Sequence, residues 1–494
     1  MKTNFIQLIA IVIFASCLFT ACQPKPLATK PYNVLFISID DLRTELNCYG
    51  AEHIKSPHID RLAASGVRFT NAHVQQAICM ASRASIMSGI RPERKGIYTG
   101  EAVADLMPDV LTMNQFFKAQ GYNIASTGKI YHHGVDTEKQ FGTDYIKPKA
   151  TWTASGYVTE EAIAQIELNT EHKRGPAFEY ANVHDTIYKD GINTLNAVRK
   201  LAELKETDQP FFLAVGLSKP HLPFVAPKKY WDMYPDVSLP ELKEMPENSN
   251  KHTMRVKGEL NNYYGIPPSY AEIGDSMTLL LRRAYYACVS YADAQVGNLL
   301  DQLDNLGLTE NTIVVLWGDH GYKLGDYGNW CKWSNMDIDT NIPLIFRVPN
   351  GEKNAVIKQA VEALDIYPTL ADLCGLDLPE HLEGKSLVAI LNQEGTTTTE
   401  KAYAYTIWPH NRWNYDRTIM GYSVTDERYN YVEWVKLDSD EVLEKELYDH
   451  QNDPDETKNV IAEDQYQTVI AELAQKLQER KVATDHNHNF KNLR

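Results

Sequence analysis

The stretch Val34-Leu35-Phe36-Ile37-Ser38-Ile39 is a nearly unbroken apolar run that leads directly into two adjacent carboxylates, Asp40-Asp41. A second run of the same kind, Thr312-Ile313-Val314-Val315-Leu316-Trp317-Gly318, leads into Asp319-His320-Gly321. Short apolar runs rich in β-branched residues predict strands that are buried on both faces, as in a parallel or mixed sheet. Open α/β sheets bind their ligands just beyond such strand ends, so the sequence predicts a site around these polar residues.

The alternation of short apolar runs with helix-like stretches continues over residues 31–391. It predicts one large α/β domain with helices on both faces of its sheet. Apolar residues recur at helical spacing over residues 279–303, which predicts a long helix just before the second strand. The polar stretches 148–208 and 235–268 show little periodicity, so we expect surface insertions that shape a pocket.

A run of small and polar residues at 392–399 is the predicted linker to a second, smaller domain. Residues 400–494 contain three alternating runs typical of an antiparallel sheet, followed by an amphipathic helix. These runs are residues 402–408, 418–425 and 429–435. His486-Asn487-His488, near the end of the chain, has the composition of a solvated tail more than that of a metal site.

The chain of 494 residues is long enough for such a pair of domains, and 43% hydrophobic with 23% charged residues is typical of a globular protein. Its formal net charge of -16 argues against nucleic acid as a partner. A polyanionic ligand would need a locally basic pocket. The cations available for such a pocket are Lys129, Lys219, His221 and Lys332.

Residues 1–22 have the pattern of a bacterial export signal: a single early Lys2, an apolar core, and small residues just before Cys22. Cleavage before Cys22 would leave that cysteine to carry a lipid, with residues 23–30 as a short tether. A permanent anchor helix is the alternative, but small residues before a cysteine favour cleavage. The tether has no acidic cluster, so we expect an exported protein at the periplasmic face, with the cell surface as the alternative.

Apart from Cys17 and Cys22 in the signal, the cysteines are scattered along the chain at positions 48, 79, 288, 331 and 374. Their spacing indicates neither a disulfide framework nor a zinc site, so we expect mostly free, buried thiols. Cys79 differs from the rest because it opens the run Cys79-Met80-Ala81-Ser82-Arg83, which is followed by Gly89 and Arg91-Pro92.

That run resembles the signature of the type I sulfatases, in which the cysteine is oxidised to Cα-formylglycine. Further motifs occur in the family's order and span nearly all of the mature chain. They are Asp40-Asp41, Gly128-Lys129-Ile130-Tyr131-His132, Lys219-Pro220-His221-Leu222-Pro223-Phe224, Asp319-His320-Gly321, residues 325–332 and Glu446-Leu447-Tyr448-Asp449. Within the family, Asp41-Leu42-Arg43 and Lys332-Trp333-Ser334-Asn335 are similar to the iduronate-2-sulfatase branch. The resemblance implies the alkaline-phosphatase-like sulfatase fold: a large mixed sheet between helices, and a smaller C-terminal domain with an antiparallel sheet and a helix.

The resemblance also implies a divalent metal site formed by Asp40, Asp41, Asp319, His320 and the modified Cys79. Carboxylate oxygens suit Ca²⁺, our first expectation, or Mg²⁺, whereas His320 is an unusual ligand for so hard a cation. Paired carboxylates at a strand end are otherwise caps or turn formers. A further carboxylate, Asp319, at the end of a second strand favours the metal site.

An unmodified Cys79 thiol would be a poor nucleophile toward sulfur and a soft ligand for a hard cation, and a structural buried cysteine is the alternative. The resemblance implies instead that hydrated formylglycine attacks sulfur here, and that its sulfated form then collapses with release of sulfate. Ala81 stands where proline is common in the family, which suits the radical maturase of anaerobic bacteria. Arg83 is expected to hold the diol and the metal carboxylates, near a helix N-terminus that favours anions.

Lys129 and Lys332 match the family's sulfate-binding lysines, whose charge stabilises a negative transition state. His132 and His221 match its general base and general acid, tasks that suit a pKa near neutrality. The sequence does not decide which histidine is the acid. His133 competes with its neighbour His132 for the same role.

The iduronate-like motifs imply exo-acting removal of a 2-O-sulfate from a terminal uronic acid of heparan- or chondroitin-type oligosaccharides. Lys129, His221 and Lys332 would bind this substrate, with Lys323 as a contact for its carboxylate. A sulfated algal uronide is the alternative substrate. A phosphatase or phosphodiesterase of the same fold would normally use Ser or Thr as its nucleophile, so the cysteine motif argues against it. The full set of expected site residues argues against a carbohydrate-binding lipoprotein that has lost catalysis.

Overall fold

The structure is a computed structural model that describes residues 31–98, 103–132, 134–147, 156–235, 240–250, 252–253, 258–392, 401–410 and 418–483. The predicted signal and tether (1–30), residues 393–399 of the predicted linker and His486-Asn487-His488 lie outside these ranges. Within the ranges, no helix is both long and apolar enough to cross a bilayer.

The centre of the larger domain is a seven-stranded mixed sheet. Its strands, from one edge to the other, are Ala355–Ile357, Val67–Phe69, Leu344–Arg347, Thr312–Gly318, Asn33–Ile39, Phe211–Leu217 and Asn123–Gly128. The last four run parallel, and Leu344–Arg347 is antiparallel to both of its neighbours. The two strands predicted to end in metal ligands are therefore adjacent and parallel, so their carboxyl ends lie side by side.

Both faces of this sheet are buried, as the unbroken apolar runs predict. Along Asn33–Ile39, Leu35 and Ile37 face one core, whereas Val34 and Phe36 face the other. The first core is closed by the helices Pro57–Ala64, Lys189–Lys205 and Asp275–Asn305, and the second by Cys79–Ser88, Met113–Ala119 and Ile366–Leu373. The predicted arrangement of helices on both faces of a large mixed sheet is confirmed.

Two helices of the first core differ in how well the sequence predicts them. Asp275–Asn305 is the predicted long helix. Lys189–Lys205 lies in a stretch that we expected to be a surface insertion, and that expectation is wrong for this part of the chain. Its buried face includes the polar residues Asp190, Asn193 and Thr194 as well as apolar residues of the first core. Polar residues on the buried face weaken the amphipathic pattern that would identify the helix in the sequence.

The C-terminal domain contains a four-stranded antiparallel sheet and a closing helix, as the resemblance implies. Its strands, in spatial order, are Ala404–Pro409, Ile419–Thr425, Tyr429–Lys436 and Glu441–Asp449, and its helix is Gln467–Ala483. One face of the sheet packs on the helix through residues such as Tyr431 and Leu473. Trp408, Val432 and Trp434 belong to the first core of the larger domain, so the two domains share a continuous interior.

Shorter elements connect these parts. Three two-stranded ladders pair Ala72–His73 with Val361–Glu362, Phe178–Ala181 with Phe224–Pro227, and Lys323–Leu324 with Trp330–Cys331. Further helices are Pro92–Lys95, Val103–Leu106, Gly134–Phe141, Glu160–Leu168, Lys228–Trp231, Asp337–Thr340 and Val388–Leu391. The cysteines within the described ranges are free thiols, and all of them except Cys48 are buried, as predicted.

Candidate active site

The two strand ends that carry carboxylates meet at the middle of the sheet. Ile39 and Gly318 are register partners, so Asp40 and Asp319 follow side by side. Asp41 has a φ of 60°, and its amide donates to Asp319 Oδ1 at 2.9 Å. Successive side chains of a regular strand point to opposite faces. This left-handed turn, which aspartate tolerates better than most residues, is what brings both adjacent carboxylates to one site.

Four predicted metal ligands come together at this point. The ligand atoms of Asp40, Asp41, Cys79 and His320 all lie within 4.8 Å of one another, and all four residues are buried. The Nδ1 of His320 donates to the Gly321 carbonyl oxygen at 2.8 Å, which leaves Nε2 as the ligand atom. Two carboxylates and an imidazole fit a divalent cation, so these residues can hold the predicted metal.

The remaining predicted ligand, Asp319, lies beside this group and holds Arg83. Its Oδ1 accepts from the Asp41 amide and is 3.6 Å from His320 Nε2, while its Oδ2 accepts from Arg83 Nε at 2.8 Å. Arg83 is fully buried and also donates from Nη2 to Asp40 Oδ1 at 3.3 Å. Burial opposes its charge, but Asp319 and Asp40 raise the Arg83 pKa above its ordinary value. Arg83 therefore fixes two carboxylates relative to each other.

Cys79 is the first residue of the helix Cys79–Ser88, so the positive end of the helix dipole lies at the site. Its thiol is 3.2 Å from His320 Nε2. Burial alone would raise the pKa of this thiol, but Lys129, Lys332 and His320 lower it well below its ordinary value. This position therefore favours a negatively charged group.

Two lysines balance the carboxylates. Lys129 Nζ donates to Asp40 Oδ2 at 2.5 Å, and Lys332 Nζ donates to the two Asp41 oxygens at 2.8 and 3.0 Å. Burial disfavours an ammonium group, but Asp40 raises the pKa of Lys129 and Asp41 raises that of Lys332. Both lysines also line a cavity, so they offer positive charge to an incoming anion.

This open cavity has a volume of about 1030 Å³. The predicted site residues that form its floor are Cys79, Lys129, His132, His221 and Lys332. Its walls come mainly from the segments around residues 168–174 and 258–268. Both segments belong to the stretches that we expected to shape a pocket.

His132 and His221 take different positions on the floor. His132 hydrogen-bonds to the Cys79 thiol. His221 Nδ1 donates to the Leu222 carbonyl oxygen at 2.6 Å, which leaves Nε2 facing Glu259, whose Oε1 is 3.6 Å away. Burial lowers the pKa of His221, but nearby carboxylates raise it to about 9.

Lys323 does not join the floor residues. It is buried, and its ammonium group pairs with Asp339. The preceding side chain, Tyr322, lies with its ring centre 5.7 Å from Lys332 Nζ, and successive side chains of an extended segment point to opposite sides. Lys323 is not among the described residues that line the cavity, so the structure corrects its assignment as a substrate contact. His133, the predicted competitor of its neighbour, lies outside the described residues.

Glu259, Arg174 and Tyr263 are among the cavity-lining residues that the sequence analysis missed. Glu259 Oε2 is 3.4 Å from Lys332 Nζ, so this carboxylate lies near two floor residues. The Arg174 guanidinium lies 5.5 Å from the centre of the Tyr263 ring. No local pattern marks a single Glu or Arg in an aperiodic loop. The only signal was their place in the stretches expected to shape the pocket.

Comparison with known proteins agrees with this geometry. A family model described as Sulfatase matches residues 32–376, and a model described as N-sulphoglucosamine sulphohydrolase, C-terminal, matches residues 325–483. Iduronate 2-sulfatase from Homo sapiens is 32% identical, over 88% of this chain and 92% of that protein. A protein from Formosa agariphila described as a sulfatase is 31% identical, over 99% of this chain and 94% of its own length.

A solved structure described as a 2-O GAG sulfatase has the same fold, with a TM-score of 0.70, 22% identity, and 94% of each chain covered. The expected alkaline-phosphatase-like fold is thereby confirmed. Both the family match and the identity to the curated relatives extend over most of the chain. The chain is therefore a sulfatase, a member of the type I sulfatase family, and within that family it is similar to the iduronate 2-sulfatases.

Proposed function

We propose that this sulfatase removes the 2-O-sulfate from a terminal uronic acid of a heparan- or chondroitin-type oligosaccharide. The observation that carries the proposal is a cavity with a cationic floor and a separate arginine on its wall. The floor would bind the sulfate, and the wall arginine would bind a second anionic group of the substrate. Similarity to iduronate 2-sulfatase over most of both chains supports the same substrate class.

Sulfate binding is assigned to the two floor lysines. The Lys129 side chain is 15% exposed and that of Lys332 only 2%, so solvent screens their charges weakly. Both ammonium groups line the cavity beside position 79. Their attraction for the sulfuryl oxygens grows as these oxygens gain negative charge in the transition state.

The residues of the site are of the types needed to hold a divalent metal and a modified cysteine. Asp40, Asp41 and His320 would hold the divalent cation, with Ca²⁺ expected first and Mg²⁺ second, and Cys79 would carry the formylglycine. When present, these groups supply electrophilic stabilisation and an oxygen nucleophile in place of the sulfur. Arg83 keeps two of the surrounding carboxylates in place throughout.

His221 and His132 are each assigned one of the two proton transfers. When the S–O bond breaks, its electron pair stays on the sugar oxygen, and His221 donates its Nε2 proton to that oxygen. His132, which hydrogen-bonds to residue 79, would accept the proton that leaves the modified residue before sulfate departs. Their positions on the floor favour this assignment, which the sequence leaves open.

The carboxylate of the uronic acid is assigned to Arg174. Its guanidinium lies over the Tyr263 ring and makes a 3.4 Å contact with the Tyr263 hydroxyl. Among the described residues, Arg174 has no carboxylate at ion-pair distance. A guanidinium binds a carboxylate through two parallel hydrogen bonds, so a uronate would complete this partly paired group.

Matched sulfated disaccharides test the proposal. The full chain, expressed with a formylglycine-generating maturase, should release sulfate from a terminal 2-O-sulfated uronic acid. On 6-O-sulfated glucosamine or galactosamine, kcat/KM should be about tenfold to a hundredfold lower, because the exposed Arg174 guanidinium would lack its carboxylate partner. Comparable release from the amino sugar would reject the uronate specificity and leave the sulfatase activity standing. An ulvan-type sulfated uronide is assayed in parallel. Faster release of sulfate from this compound than from the disaccharide would favour the algal substrate.

The proposal includes an exported enzyme that is matured at Cys79. The signal pattern of residues 1–22 supports export to the periplasmic face with a lipid on Cys22, and Ala81 supports a maturase of the anaerobic radical type. The mass of the peptide that contains residue 79, isolated from the native organism, tests the modification. We expect the aldehyde, and an unmodified thiol would reject this part of the proposal.

A further inference from the structure

Glu259 is a carboxylate in a pocket that binds anions, and the mechanism above does not use it. Burial opposes its ionisation, but His221 and Lys332 lower the Glu259 pKa below its ordinary value. An ionised carboxylate here repels a sulfated substrate. Glu259 therefore weakens substrate binding, and we expect it to contribute to another step of the reaction.

The turn that carries Glu259 is well packed. A Cβ at Gly258, the preceding residue, would lie 2.1 Å from Trp333 Cζ3, so only glycine lets the chain run directly against the indole. The Gly258 amide donates to Asn261 Oδ1 at 2.9 Å, and Asn261 Nδ2 donates to the Pro267 carbonyl oxygen at 2.7 Å. These contacts hold the backbone of Glu259 in a defined position.

The two oxygens of Glu259 face two floor residues. Oε1 is 3.6 Å from His221 Nε2, and Oε2 is 3.4 Å from Lys332 Nζ. Because His221 Nδ1 donates to the Leu222 carbonyl oxygen, Nε2 carries the second proton of the charged ring. A separation of 3.6 Å is longer than a hydrogen bond, so the carboxylate attracts the ring without accepting this proton. The proton remains available to a substrate oxygen.

We infer that Glu259 is a positioning residue that acts through His221 and directs its Nε2–H to the place where the sugar oxygen departs. The inference rests on the acid role proposed for His221. When the S–O bond breaks, the electron pair stays on the sugar oxygen, the Nε2 proton moves to that oxygen, and His221 is left neutral. An acid matters most when the leaving oxygen is basic, as in a sugar alcohol, and least when it is an aryl oxygen.

The charge of Glu259 therefore affects binding and turnover in opposite directions. Glu259→Gln removes the charge at constant size, so an anionic substrate should bind more tightly and KM should fall about threefold. Loss of orientation should lower kcat on a sugar sulfate by about tenfold to a hundredfold. On 4-nitrocatechol sulfate, whose leaving oxygen is weakly basic, kcat should stay within about twofold. A merely structural defect would lower kcat on both substrates.

The experiment compares the matured full chain with its Glu259→Gln, His221→Gln and double variants. Glu272→Gln, which removes an exposed carboxylate near this turn in the sequence, is the matched control. Each protein is assayed on a sulfated disaccharide that the wild type hydrolyses and on 4-nitrocatechol sulfate. We expect a loss selective for the disaccharide in both single variants, no further loss in the double variant, and partial recovery with Glu259→Asp.

Results that contradict the role of Glu259 differ from results that contradict the acid role of His221. Equal kcat losses of Glu259→Gln on both substrates would overturn the inference and leave His221 as the acid. A double variant whose loss is the product of the two single losses would do the same. A His221→Gln variant that shows no dependence on the leaving group would overturn the acid role, and the inference with it.

Discussion

The floor and the wall of the active-site cavity are built from different kinds of chain segment. Beneath the floor, Asp40 and Asp319 directly follow buried strands, and the floor residue Cys79 begins a buried helix. The charges of these residues are balanced by buried neighbours such as Arg83 and Lys332. A floor whose polar groups are already oriented suits one reaction at one kind of bond.

The wall consists of loop segments around residues 168–174 and 258–268, and several of its side chains are exposed. Loops carry recognition because they can change without loss of the core. We therefore expect the floor to determine which bond is broken and the wall to determine which sugar is accepted. Changes to the floor should therefore abolish turnover, and changes to the wall should alter selectivity.

Cys79→Ala should have the largest effect. Alanine fits the space but carries no group that can be oxidised to formylglycine, so sulfate release should fall at least about a thousandfold. Ion chromatography of released sulfate measures the rate, and the thermal midpoint shows whether the fold is intact. Full turnover by this variant would refute the assignment of residue 79 as the nucleophile.

Asp319→Asn should have the second largest effect on activity. Asp319 accepts from the Asp41 amide at one oxygen and from Arg83 at the other, whereas an asparagine amide can accept at only one of them. We expect kcat/KM to fall about 10²- to 10³-fold as the carboxylates lose their alignment. Asp301→Asn, at an exposed carboxylate, should leave kcat/KM unchanged. A similar response of both variants would mean that the alignment is unimportant.

Arg174→Gln tests the wall. Loss of a charge-assisted contact should raise KM about tenfold or more on a sulfated uronide, with a smaller change in kcat. The matched control is Lys173→Gln, which removes a positive charge from the adjacent exposed side chain. Steady-state kinetics on the disaccharide and on its carboxyl-reduced analogue measure the effect. If Arg174→Gln raises KM equally on both substrates, Arg174 does not bind the carboxylate.

Lys323→Met should have the smallest effect on activity. Its ammonium group pairs with the fully buried Asp339, which also accepts from Ser334 Oγ at 2.6 Å. Removal of the cation leaves a buried carboxylate with a single donor, so the free energy of unfolding should fall by about 3–5 kcal/mol. Urea titration measures this loss against the exposed control Lys353→Met. A changed substrate preference without a loss of stability would restore Lys323 as a substrate contact.

The central sheet and the carboxylates at its strand ends could be predicted because their signals are local. The apolar run 34–39 ends in Asp40-Asp41, and both features are read from adjacent residues. The run 312–318 repeats this arrangement, and the structure pairs the two strands in parallel. Weak local signals explain the errors: the buried face of Lys189–Lys205 contains polar residues, so the segment was interpreted as an insertion. A lysine next to a matched motif does not reveal which way its side chain points.

By itself, the sequence determined the α/β fold class and the strand ends that carry the carboxylates, because both depend on neighbours along the chain. The floor residues were assigned by the resemblance of their motifs to those of the sulfatases. Only the tertiary structure decided that Arg83 joins Asp40 to Asp319, that Lys323 points away from the cavity, and that Glu259 faces His221. Such contacts join distant positions; Lys332 and Asp41, for example, are 291 residues apart. Which side chains meet over such separations depends on how the elements pack, and the packing leaves no pattern in the local sequence.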